Sequence, residues 1–414
     1  MNMKTEPGSA AEQAGPRTRM LVIATLGFAV TFWAWALISP LAPSLATKLG
    51  LSSFQQSLIV AVPVIVGSLG RIPIGALTDR FGGRLMLPIV SVATIVPVLF
   101  LAFFGDQSLA TLLIGGFFLG IGGTSFAVGV PFVSAWFPPE RRGLAIGIFG
   151  VGMVGTAISA FTTVRLVELG SSATPFLVTA AALAVYAVVA WLLLRDAPGQ
   201  VRPTTSMAKR VGETLKLGVT WQAAALYATL FGGYVAFSVY LPSLLKAEYD
   251  LSIADASNRM AGFVILAVIM RPVGGFLSDK IGPVPVLATC LGAVVFGALI
   301  DATSPALFPI ATIAYLVMAA GLGAGSGATF ALVALLSPAG KGGSVTGVVG
   351  AAGGLGGFVP PLLMGVVYGA TGSYTIGFLL LALVAAAVLV FTLTSIRSVL
   401  AKRDAVEVQR KVTA

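Results

Sequence analysis

Two arginines, Arg71 and Arg271, lie at the ends of long apolar runs and open segments of matching pattern, 200 residues apart. The first reads Arg71-Ile-Pro-Ile-Gly75-Ala-Leu-Thr-Asp79-Arg80-Phe-Gly82 and the second Arg271-Pro-Val-Gly-Gly275-Phe-Leu-Ser-Asp279-Lys280-Ile-Gly282. On a helix rising 1.5 Å per residue, Arg71 sits about 12 Å inward of Asp79, close to the middle of a bilayer. Arg271 takes the same depth. An arginine at the centre of a membrane helix costs about 2.5–3.5 kcal/mol on insertion scales, so something must offset it.

The usual partner is a carboxylate. Of the fifteen acids, Glu6, Glu12, Asp196, Glu213, Asp404 and Glu407 fall in tails or a linker, and Asp79, Asp106, Glu140, Glu168, Glu248, Asp250, Asp255, Asp279 and Asp301 fall in loops or at span ends. No acid is expected at the midplane. Two guanidinium groups facing a central cavity would then take their partner from water, as an anion. Guanidinium is permanently charged and offers a planar fork of donors, which suits a planar oxyanion better than lysine would. The other reading is that each arginine caps carbonyls freed near Pro73 and Pro272, or snorkels to a face.

The rest of the inventory narrows the chemistry. The chain has no histidine and a single cysteine, Cys290, so no metal site or thiol pair is indicated. With no intramembrane acid and no phosphate-binding glycine loop, no catalytic residue, no cofactor and no enzymatic activity are expected. Proton symport commonly runs through intramembrane Asp, Glu or His. Exchange of one anion for another is therefore the simplest mechanism, since a bound anion would ease reorientation of two fixed positive charges.

The elements that position the arginines follow from composition. Of the 414 residues 57% are hydrophobic and 10% charged, which a soluble surface could not tolerate. About twelve apolar runs, each near the 20 residues a bilayer core requires, fall near 20–44, 55–78, 85–104, 108–135, 143–166, 174–194, 218–244, 255–278, 283–301, 305–336, 341–369 and 373–396. Runs such as Phe378 to Phe391 are apolar on every face, unlike the alternating strands of a barrel. The fold class is an all-α integral membrane protein. Residues 1–16 are polar, so no cleavable signal peptide is expected.

The net charge of +10 sorts by side. With the N-terminus in the cytoplasm, nineteen Lys and Arg face that side and only Lys48, Arg165, Lys246 and Arg259 the other. This predicts both termini inside the cytoplasmic membrane. Trp136, Trp191 and Trp221 fall at predicted cytoplasmic helix ends, where aromatic belts sit. Basicity thus reports orientation in a lipid bilayer, and no nucleic acid is needed to explain it.

The polar stretch from Arg195 to Lys216 divides six spans from six. The predicted organisation is a tail at 1–19, a six-helix half at 20–194, a linker at 195–217, a second half at 218–397 and a tail at 398–414. The 200-residue offset continues: Pro138 answers Pro338, and Gly143, Gly147 and Gly150 answer Gly343, Gly347 and Gly350. Duplication of a six-helix unit explains this. Glycine at three- and four-residue spacing in 115–126, 143–155, 321–330 and 347–357 lets backbones approach in lipid and leaves room for a small substrate.

Two parallel six-span repeats resemble the major facilitator superfamily, whose halves rock about a midplane site. Gly75-Ala-Leu-Thr-Asp79-Arg80-Phe-Gly82-Gly-Arg84 is similar to that superfamily's cytoplasmic loop motif, with a degenerate copy at Gly275 to Gly282 that includes Asp279 and Lys280. The resemblance implies ion pairs there that tie helix ends and gate transport. The glycine blocks, with Phe132 to Arg141 and Gly353 to Pro361, resemble the nitrate/nitrite porter branch over essentially the whole membrane chain. The resemblance implies import of nitrate, export of nitrite or their exchange, by a protein that is a monomer. It also implies that Arg71 and Arg271 clamp the anion, with Tyr227, Phe231 and Phe126 around it. One departure stands out. Where the branch usually has Gly-Asn-x-Gly, this chain has Gly152-Met153-Val-Gly155, with Gly353 in the other half. A thioether donates no hydrogen bond, so nitrate loses ground to nitrite, cyanate, formate or another small anion. A carrier of small organic anions, and less so a non-transporting anion sensor, are the competing readings.

Overall fold

A computed structural model describes residues 14–138, 142–198, 207–337 and 342–400. Most of the predicted tails, the middle of the linker, Arg141, Pro338 and Lys341 lie outside the described residues, as does the side chain of Asp79. Twelve helices are long and apolar enough to cross a membrane: α1 (Gly15–Leu49), α2 (Ser53–Gly75), α3 (Gly83–Phe104), α4 (Leu109–Trp136), α5 (Ala145–Leu169), α6 (Thr174–Leu193), α7 (Gly218–Tyr249), α8 (Ile253–Ile281), α9 (Pro283–Asp301), α10 (Leu307–Val333), α11 (Gly347–Thr371) and α12 (Thr375–Leu400). Strands are absent among the described residues. The predicted runs coincide with these spans to within several residues at each end.

Local chemistry sets the boundaries. Ser52 and Ser108 cap the starts of α2 and α4 with reciprocal side-chain bonds to Gln55 and Thr111. Gly82 and Gly282, at φ +86° and +85°, turn the chain sharply between α2 and α3 and between α8 and α9, where a side chain would be strained. The glycine blocks interrupt regular helix. Gly120–Thr124 in α4 and Val151–Val154 in α5 tighten to 3₁₀ geometry, and α11 breaks between Gly356 and Val359. In α8, by contrast, the helix runs unbroken through Pro272.

Large apolar side chains fill the bundle interior, among them Phe28, Phe32, Phe149, Phe231 and Phe263. Lipid-facing positions such as Val96, Leu383 and Val390 are apolar and exposed, as a bilayer solvent requires. The two halves meet along α1, α2, α5, α7, α8 and α11. Ser39 on α1 donates to the carbonyl of Val239 on α7, its counterpart at an offset of 200, so this bond lies on the axis relating the repeats.

At the ends of α1 and α3, away from the tails, Lys48 Nζ lies 2.5 Å from Asp106 Oδ2. The Lys48 hydrogen bond holds the Asp106 carboxyl below the usual carboxylate range. A depressed folded value means this contribution is whole above about pH 4, where the free carboxylate ionises, and fades as pH falls through the folded value. An exposed pair is worth about 1 kcal/mol or less. Lys48→Met should therefore leave the melting temperature at neutral pH almost unchanged and flatten its decline in acid, read by thermal melts of the detergent-solubilised protein.

Candidate functional site

Arg71 follows Gly70 at the tail-side end of α2, and Arg271 occupies the equivalent turn of α8. Both are buried, 8% and 9% exposed. Arg71 Nη1 donates to the carbonyl of Gly350 on α11 at 2.8 Å, and Nε to that of Gly123 on α4 at 3.3 Å. Arg271 Nη2 donates to the Tyr227 hydroxyl on α7 at 2.5 Å, and Nη1 to the thioether of Met153 on α5 at 2.6 Å. None of these four partners is a carboxylate. Carbonyl capping does occur at Arg71, but the carbonyls come from the glycine-rich segments of α4 and α11 rather than from a proline kink.

Aromatic rings wall the space between the two guanidiniums. Successive turns of α7 place Tyr227, Phe231 and Tyr234 on one face. The Tyr227 and Phe231 rings stack at 4.6 Å with planes 2° apart. Phe231 serves both arginines, its centroid 6.0 Å from Arg71 Cζ and 5.3 Å from Arg271 Cζ. Phe126 lies 5.3 Å from Arg71 Cζ. Phe330, which the sequence reading did not single out, lies 5.9 Å from Arg271 Cζ and meets Tyr227 edge-on at 4.8 Å. It ends a glycine block, as Phe126 does, and that shared position was the available signal.

The repeats break symmetry here. Met153 is buried and its sulfur accepts from Arg271, a contact invisible in sequence, where the thioether counted only as a lost donor. Its counterpart Gly353 has the Tyr227 ring packed where a Cβ would stand. A Cβ added at Gly147 or Gly150 would meet nothing within 4 Å, so these two line open space.

Away from the tails, the halves are bolted together beyond the arginines. Tyr234 and Thr156 hydroxyls lie 3.2 Å apart, Arg165 Nη1 donates to Asn258 at 2.9 Å, and Gly365 closes on Ser57. Toward the tails, Gly147 and its counterpart Gly347 face open space. The space between the arginines is therefore closed over on the side away from the tails.

The loop motif is placed at the tail-side helix ends. Asp196, past the end of α6, accepts from the Arg84 backbone N–H at 3.0 Å and lies against Gly82. Arg80 lies over Phe81 at 5.3 Å and Lys280 over Phe276 at 4.5 Å, each on its own helix. Gly75 ends α2, and Asp279 is exposed.

Twelve spans in two repeated halves around a shared central site define a secondary transporter. Residues 24–258 and 223–412 match the model of the Major Facilitator Superfamily, and the chain belongs to it. This is a transporter family and not a family of enzymes. More particularly, the chain is 48% identical to a probable nitrate/nitrite transporter, NarK2, of Mycobacterium tuberculosis (strain H37Rv), over 91% of this chain and 96% of that protein. It is 37% identical to a nitrite extrusion protein of Bacillus subtilis (strain 168), over 89% of this chain and 91% of that protein. Among solved structures, a D-xylose–proton symporter superposes with TM-score 0.72 at 17% identity, covering 91% of this chain and 97% of its own. A bacterial homologue of the human lysosomal transporter Spinster, inward-facing and occupied, superposes with TM-score 0.71 at 19% identity, covering 92% and 97%. At those identities the structural likeness speaks for the fold alone.

Proposed function

We propose that the protein carries nitrate and nitrite across the cytoplasmic membrane by alternating access, one anion exchanged for another, with both termini inside. The observation that carries this reading is the pair of buried arginines, one from each half, whose partners are neutral. An anion entering between them supplies the missing charge and draws α2 and α8 together. Phe126, Phe231 and Tyr227 form apolar walls that exclude water and strengthen the attraction. The names of the relatives support nitrate and nitrite as cargo. The bias of nineteen basic residues to four supports termini inside, so the closed side is the one away from the cytoplasm.

The halves at 20–194 and 218–397 rock as units about the linker at 195–217, and the protein works as a monomer. Among the described residues Arg71 donates its hydrogen bonds to carbonyl oxygens, one of them on the other half, and an oxyanion outcompetes a carbonyl for guanidinium. Anion binding thus releases the Arg71–Gly350 bond. An empty carrier keeps that bond and two facing positive charges, which favours exchange over uniport.

Counterflow into liposomes tests this. Labelled nitrate or nitrite should enter vesicles preloaded with either anion and stall in vesicles holding neither. Wild-type protein that binds these anions but moves none would favour a sensor, and absent binding would point to another anion. Met153→Asn adds an amide donor worth about 0.5–1.5 kcal/mol. It should raise nitrate over nitrite by about twofold to tenfold in competition counterflow.

A further inference from the structure

On the side away from the tails, the seam between the halves is asymmetric. Along α2 and α11 it is close-packed, with Ser57 of α2 filling the place where a Cβ at Gly365 of α11 would stand. The residue equivalent to Gly365 at an offset of 200 is Arg165 on α5. There a long polar side chain joins the halves, its Nη1 donating to Asn258 Oδ1 on α8 at 2.9 Å. One position makes one seam polar where its repeat is tight.

The same two helices hold the anion site, since Met153 on α5 accepts from Arg271 on α8. By helix rise, Arg165 lies about 18 Å along α5 from Met153, and Asn258 about 20 Å along α8 from Arg271. Opening that side parts α5 from α8 and breaks the Arg165–Asn258 bond. What the break releases is a guanidinium without an acid. Its acceptors are the Asn258 amide oxygen and the carbonyl of Phe161 on its own helix, and it lies over the Phe161 ring at 4.0 Å. The nearest acids in sequence do not neutralise it. Asp255, a turn before Asn258, is held by Arg259 at 3.2 Å, and Glu168, a turn beyond Arg165, is exposed and makes no ion pair among the described residues. Of the four bases on this side, Lys48 and Arg259 are taken by Asp106 and Asp255, whereas Arg165 spans the seam with a neutral partner. A neutral amide is a weaker acceptor for guanidinium than an oxyanion.

We infer that Arg165 is a second anion-binding residue, a latch that docks a small oxyanion at the mouth away from the tails when it lets go of Asn258. This rests on the anion-carrier reading. An anion arriving on that side replaces Asn258 on the guanidinium, which stabilises the parted state and holds the anion at the seam that leads to Arg71 and Arg271. Closure re-forms the amide bond and sends the anion inward or back to water; no covalent bond changes. The effect belongs to one side of the membrane.

The test is nitrate counterflow in sealed membrane vesicles of both orientations, sorted by protease access to a tag on the C-terminal tail, with half-saturation read from each side. Asn258→Ala breaks the latch and leaves the guanidinium free, so half-saturation on the side away from the tails should fall about twofold to fivefold below wild type. Adding Arg165→Gln to that variant removes the charge with the latch already gone. Half-saturation on that side should then rise about threefold to tenfold, while the tail side stays within about twofold. A latch with no docking role predicts no change on adding the second substitution, and that result overturns the inference while leaving the carrier reading intact. Should the double variant be poorly produced, Asn258→Ala still decides, because unchanged or higher half-saturation on that side overturns the inference too. Absence of nitrate movement in wild type overturns both readings.

Discussion

Arg271→Lys should reduce nitrate and nitrite counterflow by about thirtyfold to several thousandfold, the equivalent of about 2–5 kcal/mol for breaking a buried, hydrogen-bonded charge contact. Lysine keeps the charge, so the experiment separates charge from geometry. The planar fork allows Arg271 to hold the Tyr227 hydroxyl and the Met153 sulfur at once while presenting its remaining donors to a ligand. An ammonium has three donors around a point and cannot span these positions. Arg71→Lys should lose a comparable amount, since it forfeits the carbonyls of Gly123 and Gly350. Stability should move the other way. Two like charges are buried on either side of the same Phe231 ring, so Arg71→Gln should not lower the melting temperature of the empty protein although it abolishes counterflow. A variant that unfolds, or a lysine variant that transports at the wild-type rate, would refute the clamp.

Gly353→Ala should have the second largest effect. A single methyl there lands on the Tyr227 ring, which is fully buried and stacked on Phe231. Overpacking of this kind costs about 1–3 kcal/mol. The ring cannot retreat without releasing Arg271, so transport should fall about tenfold or more beyond the loss of folded protein. Gly147→Ala is the control: its Cβ meets open space, and the melting temperature should hold. Thermal melts and counterflow on the same preparations check both. Equal melting curves for the two variants would mean that Tyr227 does not fill the place of a side chain at 353.

The asymmetry behind that prediction marks how far one-dimensional reasoning reaches. The 200-residue offset exposes the repeat and pairs Arg71 with Arg271, but it also suggests that position 153 matches position 353 in role. It does not. A methionine fills one position and a tyrosine from another helix fills the space beside the other, because helix packing brings α7 against α11 and α5 against α8. The same limit applies to Asp301. Its place at the end of an apolar run suggests water, whereas it is 3% exposed. Tyr234, Thr156 and the Ser39–Val239 bond on the repeat axis were equally hidden, since hydroxyls in apolar helices are common and only facing partners give them meaning.

Sequence alone determined what depends on composition and period: twelve helices, the duplication, and two arginines deep in apolar spans with no acid at their depth. Those follow from local costs, the burial of a charge and the length of a bilayer. Only tertiary structure decided which groups the arginines hold, which side of the bundle is closed, and which acid is shut away from water. The arginine contacts join residues 44 to 279 positions apart, and their energies depend on distances between helices that no stretch of the chain encodes by itself.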